Sequence, residues 1–417
     1  MRIRSIFTVV ITMSVALLFG CVNESASKTK LLTEGEAVKP LTVANNVVPT
    51  PDSGVSKVAT GLQHTCAIRA GKLSCWGLNK HGQIGNGDSG VLNGAPDPLT
   101  GTNYTVKVSL GPNVIFPDGV TDVAVGYEHT CAIRNEELFC WGSNEFSQLG
   151  IPAGPNDPSD FIYSRPVSIL RGAKQVAARG RMTCVIANSQ LLCFGTRLES
   201  VNGQTAQKLF SKTPKLVVSG NAQAVSISVN HVCVKVNSGL RCFGMNTSGE
   251  TGTVDLSVTS VEAPHEVFTD GVGLFSVTDG RSCAMVSGVM KCFGASLGDR
   301  TVDSGSSGGW RVANPVPYEA TFWRSVAPGL QISASGAVLA SSGDLMYGSY
   351  FHSGGMVQKV AIGVMNFDFS ETDAGGCMMF LNHDVKCWGP NLFGQLGVGN
   401  RSLDEPTILH ARDVLFR

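Results

Sequence analysis

The sequence predicts an all-β fold: a seven-bladed β-propeller with four-stranded antiparallel blades, preceded by a signal peptide and a flexible tether. Three observations carry that expectation. First, a motif Cys-x8-Cys-aromatic-Gly recurs along the chain. It stands at Cys66/Cys75, Cys131/Cys140, Cys184/Cys193, Cys233/Cys242 and Cys283/Cys292, degenerates at Ala337/Met346, and returns one residue longer at Cys377/Cys387. Second, the first positions of the seven copies are 65, 53, 49, 50, 54 and 40 residues apart, a period that suits four short strands per blade. Third, 49 glycines and 18 prolines against 15% charged residues favour short strands and turns over long amphipathic helices.

The N-terminus reads as an export signal. Arg2 and Arg4 precede an apolar run from Ile6 to Phe19, shorter than the about 20 residues that span a bilayer. Residues 1–20 are therefore expected to be a lipoprotein signal peptide. Leu17-Leu18-Phe19-Gly20-Cys21 resembles a bacterial lipobox, although Phe19 is bulkier than the small residue usual there. In lipoproteins of that kind the cysteine is acylated, which makes Cys21 the expected site of lipid (palmitate) attachment. An ordinary signal peptide cleaved nearby is the alternative. Residues 21–52 are polar and lack periodicity, and are expected to be a lipid-anchored flexible linker. Residues 53–417 are the expected propeller. The predicted location is the cell envelope, and Val22 after the cysteine favours the outer membrane if the host is a diderm bacterium.

Each copy of the repeat has the same grammar. An alternating run such as Val123-Ala124-Val125 leads in. Two strands follow across two-residue turns at Ala70-Gly71, Asn135-Glu136, Asn188-Ser189, Asn237-Ser238 and Ser287-Gly288. Glycine turns follow in some copies, clearest in Gly82-Gln83-Ile84-Gly85 and Gly394-Gln395-Leu396-Gly397, and a proline-led strand such as Arg165-Pro166-Val167 opens the way to the next copy. The His-Thr-Cys-Ala-Ile segments at 64–68 and 129–133, the Cys-Trp-Gly triplets and the Gly-Gln-Leu/Ile-Gly turns resemble the regulator of chromosome condensation repeat family. The resemblance covers roughly residues 55 to 417 and implies a seven-bladed propeller. The chain also ends on an apolar strand, Val414-Leu415-Phe416, so C-terminal strands are expected to complete blade one and hide its open edge.

The thirteen cysteines comprise Cys21 and six pairs. With a two-residue turn at Ala70-Gly71, Arg69 faces Lys72 as a hydrogen-bonded pair. Counting back places Cys66 opposite Cys75 at a close, non-hydrogen-bonded site, with Cα atoms about 4.5 Å apart. The spacing therefore predicts cross-strand disulfides within blades, with an extra residue absorbed near Leu381-Asn382-His383 in the last copy. The sixth copy lacks both cysteines, as expected of a bond lost as a unit. Zinc is the rival reading, because His64, His129 and His231 each lie two residues before a cysteine. Even pairing in an exported chain favours disulfides.

Candidate chemistry is sparse. The three histidines share one tolerant repeat position, filled elsewhere by Met182, Arg281, Ser335 and Gly375, and are expected to be structural, hydrogen-bonding within their blade. The glycine turns lack the following helix that a phosphate loop requires. Asp368, Glu371 and Asp373 form the densest acidic group and are read as solvated loop carboxylates, with glycosidase-like chemistry as the sharper alternative. The inserts 88–117 and 299–324 are more suggestive. Trp310, Tyr318, Trp323 and Arg324 are candidate binding-loop residues, or else packing caps.

The function expected is a non-enzymatic binding or scaffolding propeller in the envelope, held to the membrane by its lipid and binding an unknown protein or envelope ligand. No cofactor and no metal are expected. With 32 basic and 32 acidic residues the chain lacks the footprint of a nucleic-acid binder. Some family members act on a small GTPase and chromatin in nuclei; neither partner is expected of an exported, neutral, cysteine-rich chain. Secreted enzyme inhibitors with the same propeller are the closer analogy. A polysaccharide-acting envelope enzyme and a structural or adhesive surface protein are the alternatives.

Overall fold

The computed structural model describes residues 54–92, 105–152, 161–201, 204–295, 313–319, 329–333, 337–340, 342–348, 357–369, 375–402 and 411–416. Cys21, the leader, the linker, Trp310, Trp323, Arg324, Glu371 and Asp373 lie outside them. Among the described residues there is no α-helix, and seven four-stranded sheets follow one another along the chain. All strand pairs within the blades are antiparallel. Blade one is Val55–Thr60, His64–Arg69, Lys72–Leu78 and Val108–Phe116. Blade three extends its outer pair into the long hairpin Gln190–Val201 and Gln204–Val218.

The hairpins have the register that the spacing dictates. Cys66 stands opposite Cys75 and Arg69 opposite Lys72. Asn135 and Glu136 have φ of 51° and 63°, and Asn188 and Ser189 have 51° and 60°, the left-handed pair that a two-residue hairpin turn requires. Six disulfides close, each with Cα atoms 4.1 Å apart: Cys66–Cys75, Cys131–Cys140, Cys184–Cys193, Cys233–Cys242, Cys283–Cys292 and Cys377–Cys387. In the last hairpin His383, at φ 67°, absorbs the extra residue.

Three expectations need correction. In blade six Ala337 pairs with Tyr347 and Val338 with Met346, so Tyr347, not Met346, holds the place of the second cysteine. The cause is a longer turn, closed by Ala340 N–H to the carbonyl of Asp344. Tyr318 is not in a loop: Ala313–Glu319 is the fourth strand of blade five, with Tyr318 opposite Cys292. Finally, the C-terminal strand Arg412–Asp413 completes blade seven and not blade one, pairing with Val385–Trp388. Every blade is built from contiguous chain.

The core is distributed over the seams between blades. One cluster joins Ala59, Ile68 and Leu73 of blade one to Val123 and Trp141 of blade two. Another joins Val55 and Trp76 of blade one to Met379, Val385 and Leu396 of blade seven. The aromatic of each Cys-aromatic-Gly triplet fills the seam toward the preceding blade. Trp76, Trp141, Phe194, Phe243 and Phe293 are fully buried there, each contributing about 1.5–3 kcal/mol by removal from water. The glycine of the triplet is obligatory. Gly142 has φ 104°, and a Cβ on it would stand 2.4 Å from the carbonyl oxygen of Glu128.

Candidate functional site: the ring centre, the seams and the blade-three groove

The first strands of all seven blades line one central channel of about 260 Å³. The inner strands face each other around it, and side chains from one blade cap amides of the next. Asp122 accepts from the amide of Val176 at 2.8 Å, Gln175 from Val225 at 3.0 Å and Gln331 from Phe367 at 3.2 Å. Asp368 closes the ring in the same way, accepting from Thr60 N–H at 2.6 Å and from its hydroxyl at 3.0 Å. Strand pleating puts Asp368 in the channel between the buried Phe367 and Phe369, so it is not the solvated loop carboxylate expected. Burial raises its pKa, opposed by the Arg179 charge, the Thr60 bonds and the Lys57 charge. Lys57 is itself paired with Asp122. The channel is polar and its carboxylates are engaged in joining blades.

The histidines also join blades, and do not bond only within their own. His64 Nε2 lies 2.9 Å from the hydroxyl of Thr130, His129 Nε2 2.8 Å from Thr183, and His231 Nε2 2.8 Å from the hydroxyl of Ser282. Each of those hydroxyls donates to a glycine-turn carbonyl of the preceding blade. Thr130 gives to Gln83, Thr183 to Gln148 and Ser282 to Glu250, at 2.8–2.9 Å. The indole N–H of Trp141 reaches the same Gln83 carbonyl at 3.0 Å. The turn is set by an asparagine: Asn79, Asn144 and Asn391 accept from the amides of Ile84, Leu149 and Leu396. Burial lowers the pKa of His64, His129 and His231 to about 3. They are neutral structural clamps. The hydroxyl residue after the histidine and the asparagine two residues after the triplet glycine are the members that sequence reasoning missed. Their signal was recurrence at one repeat position.

A second concave feature lies on the outer strand of blade three. A groove of about 370 Å³ is walled by Arg197, Lys208, Phe210, Lys215, Leu216 and Glu262. Leu209 and Leu216 are 48% and 49% exposed. Lys215 and Arg197 stand 5.3 and 5.8 Å from the centre of the Phe210 ring, within the range of cation–π attraction. Glu262 bonds Lys208 at 2.7 Å and Arg197 at 3.2 Å. The Lys208 hydrogen bond, and then the Arg197 charge, hold its carboxyl below the usual range.

Comparison with known proteins agrees with this architecture. The Regulator of chromosome condensation (RCC1) repeat matches residues 55–83 and 120–148. The human probable E3 ubiquitin-protein ligase HERC4 is 31% identical over 136 residues, 32% of this chain. The match spans only 11% of that ligase's length. The ultraviolet-B receptor UVR8 of Arabidopsis thaliana is 25% identical over 392 residues, covering 89% of this chain and 72% of the receptor. Among solved structures, yeast RCC1 (Prp20) bound by Kap60 superposes with a TM-score of 0.63 at 15% identity, covering 91% of both chains. Human WBSCR16 gives 0.61 at 16% identity, over 83% of this chain and 95% of that one. These solved structures share the fold. The chain carries two segments that match the regulator of chromosome condensation repeat, and it folds as a seven-bladed β-propeller.

Proposed function

We propose that this propeller is a non-enzymatic binding scaffold of the cell envelope, tethered by a lipid on Cys21, and that it holds a protein partner in the blade-three groove. The observation that carries the reading is the pairing of two half-exposed leucines, Leu209 and Leu216, with a lysine-flanked Phe210. Exposed apolar surface rimmed by polar and charged side chains marks interaction sites on soluble domains. The cap and clamp residues, by contrast, are engaged in building the ring. Yeast RCC1 (Prp20), which shares this fold, is found bound by Kap60, and that supports a protein partner for a chain of this kind. The lysine rim suits a partner surface bearing carboxylates. Neither nucleic acid nor a small GTPase belongs to this reading.

The test is crosslinking in intact envelopes, comparing the parent with Leu209→Asp/Leu216→Asp. One discrete crosslinked partner, lost in the variant while the melting temperature stays unchanged, supports the scaffold. Retention of the partner in the variant overturns the groove assignment. Labelled palmitate should enter the parent and not Cys21→Ser; an unlabelled parent refutes the anchor.

A further inference from the structure

Each of the seams between blades one and two, two and three, and four and five has a donor histidine and an acceptor hydroxyl, and two other seams among the described residues depart from that pattern in different ways. Between blades three and four both have changed together: Met182 stands for histidine and Val232 for the hydroxyl residue, and the two pack in one apolar cluster. Between blades seven and one only the donor has changed. Gly375 occupies the histidine position, yet Thr65 is retained, 3% exposed, donating its proton to the carbonyl of Gln395 at 3.0 Å. A cavity of about 170 Å³ lies there, lined by Gly375, Thr65, Trp388, Leu396 and Phe393, with Leu62 at its edge. Cavities of roughly 150 Å³ with apolar walls accept a benzene-sized ring.

We infer that this seam cavity is a binding site for a small, planar, neutral azole. The ring sits where the imidazole sits at the histidine seams, its N–H donating to the Thr65 hydroxyl oxygen and its faces against Trp388 and Leu396. The proton count fits: Thr65 gives its one proton to Gln395, so its oxygen can only accept, as Thr130 accepts from His64. The site is separate from the blade-three groove and stands whether or not that groove binds protein. A free metabolite and a histidine side chain of a partner present the same ring.

The test is saturation-transfer NMR on the full-length protein with imidazole at about pH 8.5, where the ring is neutral, and with N-methylimidazole, which has no N–H. The parent should bind imidazole at least about fivefold more tightly, the factor expected of one net hydrogen bond. Thr65→Val should abolish that preference. Leu392→Trp, at a cavity-lining residue that is only half-buried, should block both probes and carries the test if Thr65→Val does not fold. Equal binding of the two probes by the parent, or binding of neither, overturns the assignment. N-acetylhistidinamide separates the sources: binding as tight as imidazole points to a partner's histidine, and weaker binding to a free azole.

Discussion

His64 of blade one donates its Nε2 proton to Thr130 of blade two across 2.9 Å, and Thr130 passes its own proton back to the Gln83 carbonyl of blade one. The ring in this pair is neutral because burial penalises its charged form. His64, His129 and His231 are held near pKa 3, chiefly by burial and for His64 also by the neighbouring His129. In the unfolded chain they would take up protons near 6.5. Between those values the unfolded state binds more protons, so stability is full above about pH 6.5 and falls as pH drops toward 3. Each ring contributes up to about 1.4 kcal/mol per pH unit. His231→Met with Ser282→Val, which copies the Met182/Val232 seam, should remove one ring's share of that slope in a thermal-melt series. An unchanged slope would sink the clamp account.

Glycine positions separate cleanly. At Gly142 an added methyl meets the Glu128 carbonyl, whereas Gly288, at φ 81°, has nothing within 4 Å. Gly288→Ala should cost only the left-handed strain, about 1–2 kcal/mol. Gly142→Ala should lower the urea midpoint far more or prevent folding. Equal midpoints for the two would contradict the close approach.

Asp368 ties blade seven to blade one through Thr60. Asp368→Ala orphans that amide and should cost about 1–3 kcal/mol; Asp368→Asn keeps an acceptor and should cost less. Hydrogen exchange at the Thr60 amide is the readout. Faster exchange in the alanine variant only is the expected result, and identical protection in both would remove Asp368 from ring closure.

Each disulfide closes a ten-residue loop or one residue more, worth roughly 2.5–3 kcal/mol in the loop-entropy model. Cys184→Ala/Cys193→Ala should lower the melting temperature and leave the β-sheet circular dichroism intact, because blade six keeps four strands with no cysteine. Non-reducing peptide mapping should recover Cys66 linked to Cys75. Links between blades would refute the register.

The hairpins were legible because a two-residue turn leaves the pairing no freedom: Ala70-Gly71 settles Cys66 opposite Cys75. The seams were not, because Thr130, Thr183, Val232 and Ser282 acquire their meaning from residues 50 to 66 positions away. Asp368 was misread because its neighbours in sequence are acidic, while the strand's alternation turns it into the channel. Tyr318 was misread because a long interval between motifs concealed a fourth strand.

The staples have a consequence for the order in which they form. Every bridge joins a cysteine to the next cysteine in the chain. An oxidant acting on thiols as they emerge would therefore make the native set with no reshuffling, one blade at a time. That holds only if counting starts at Cys66, since a free thiol at Cys21 would shift every partner by one. Acylation of Cys21 would keep the parity of the whole series. Thiol trapping during synthesis should find Cys66–Cys75 formed first in the parent, and mispaired early species in a variant that retains an unacylated Cys21. Correct early pairing in that variant would show that parity does not matter.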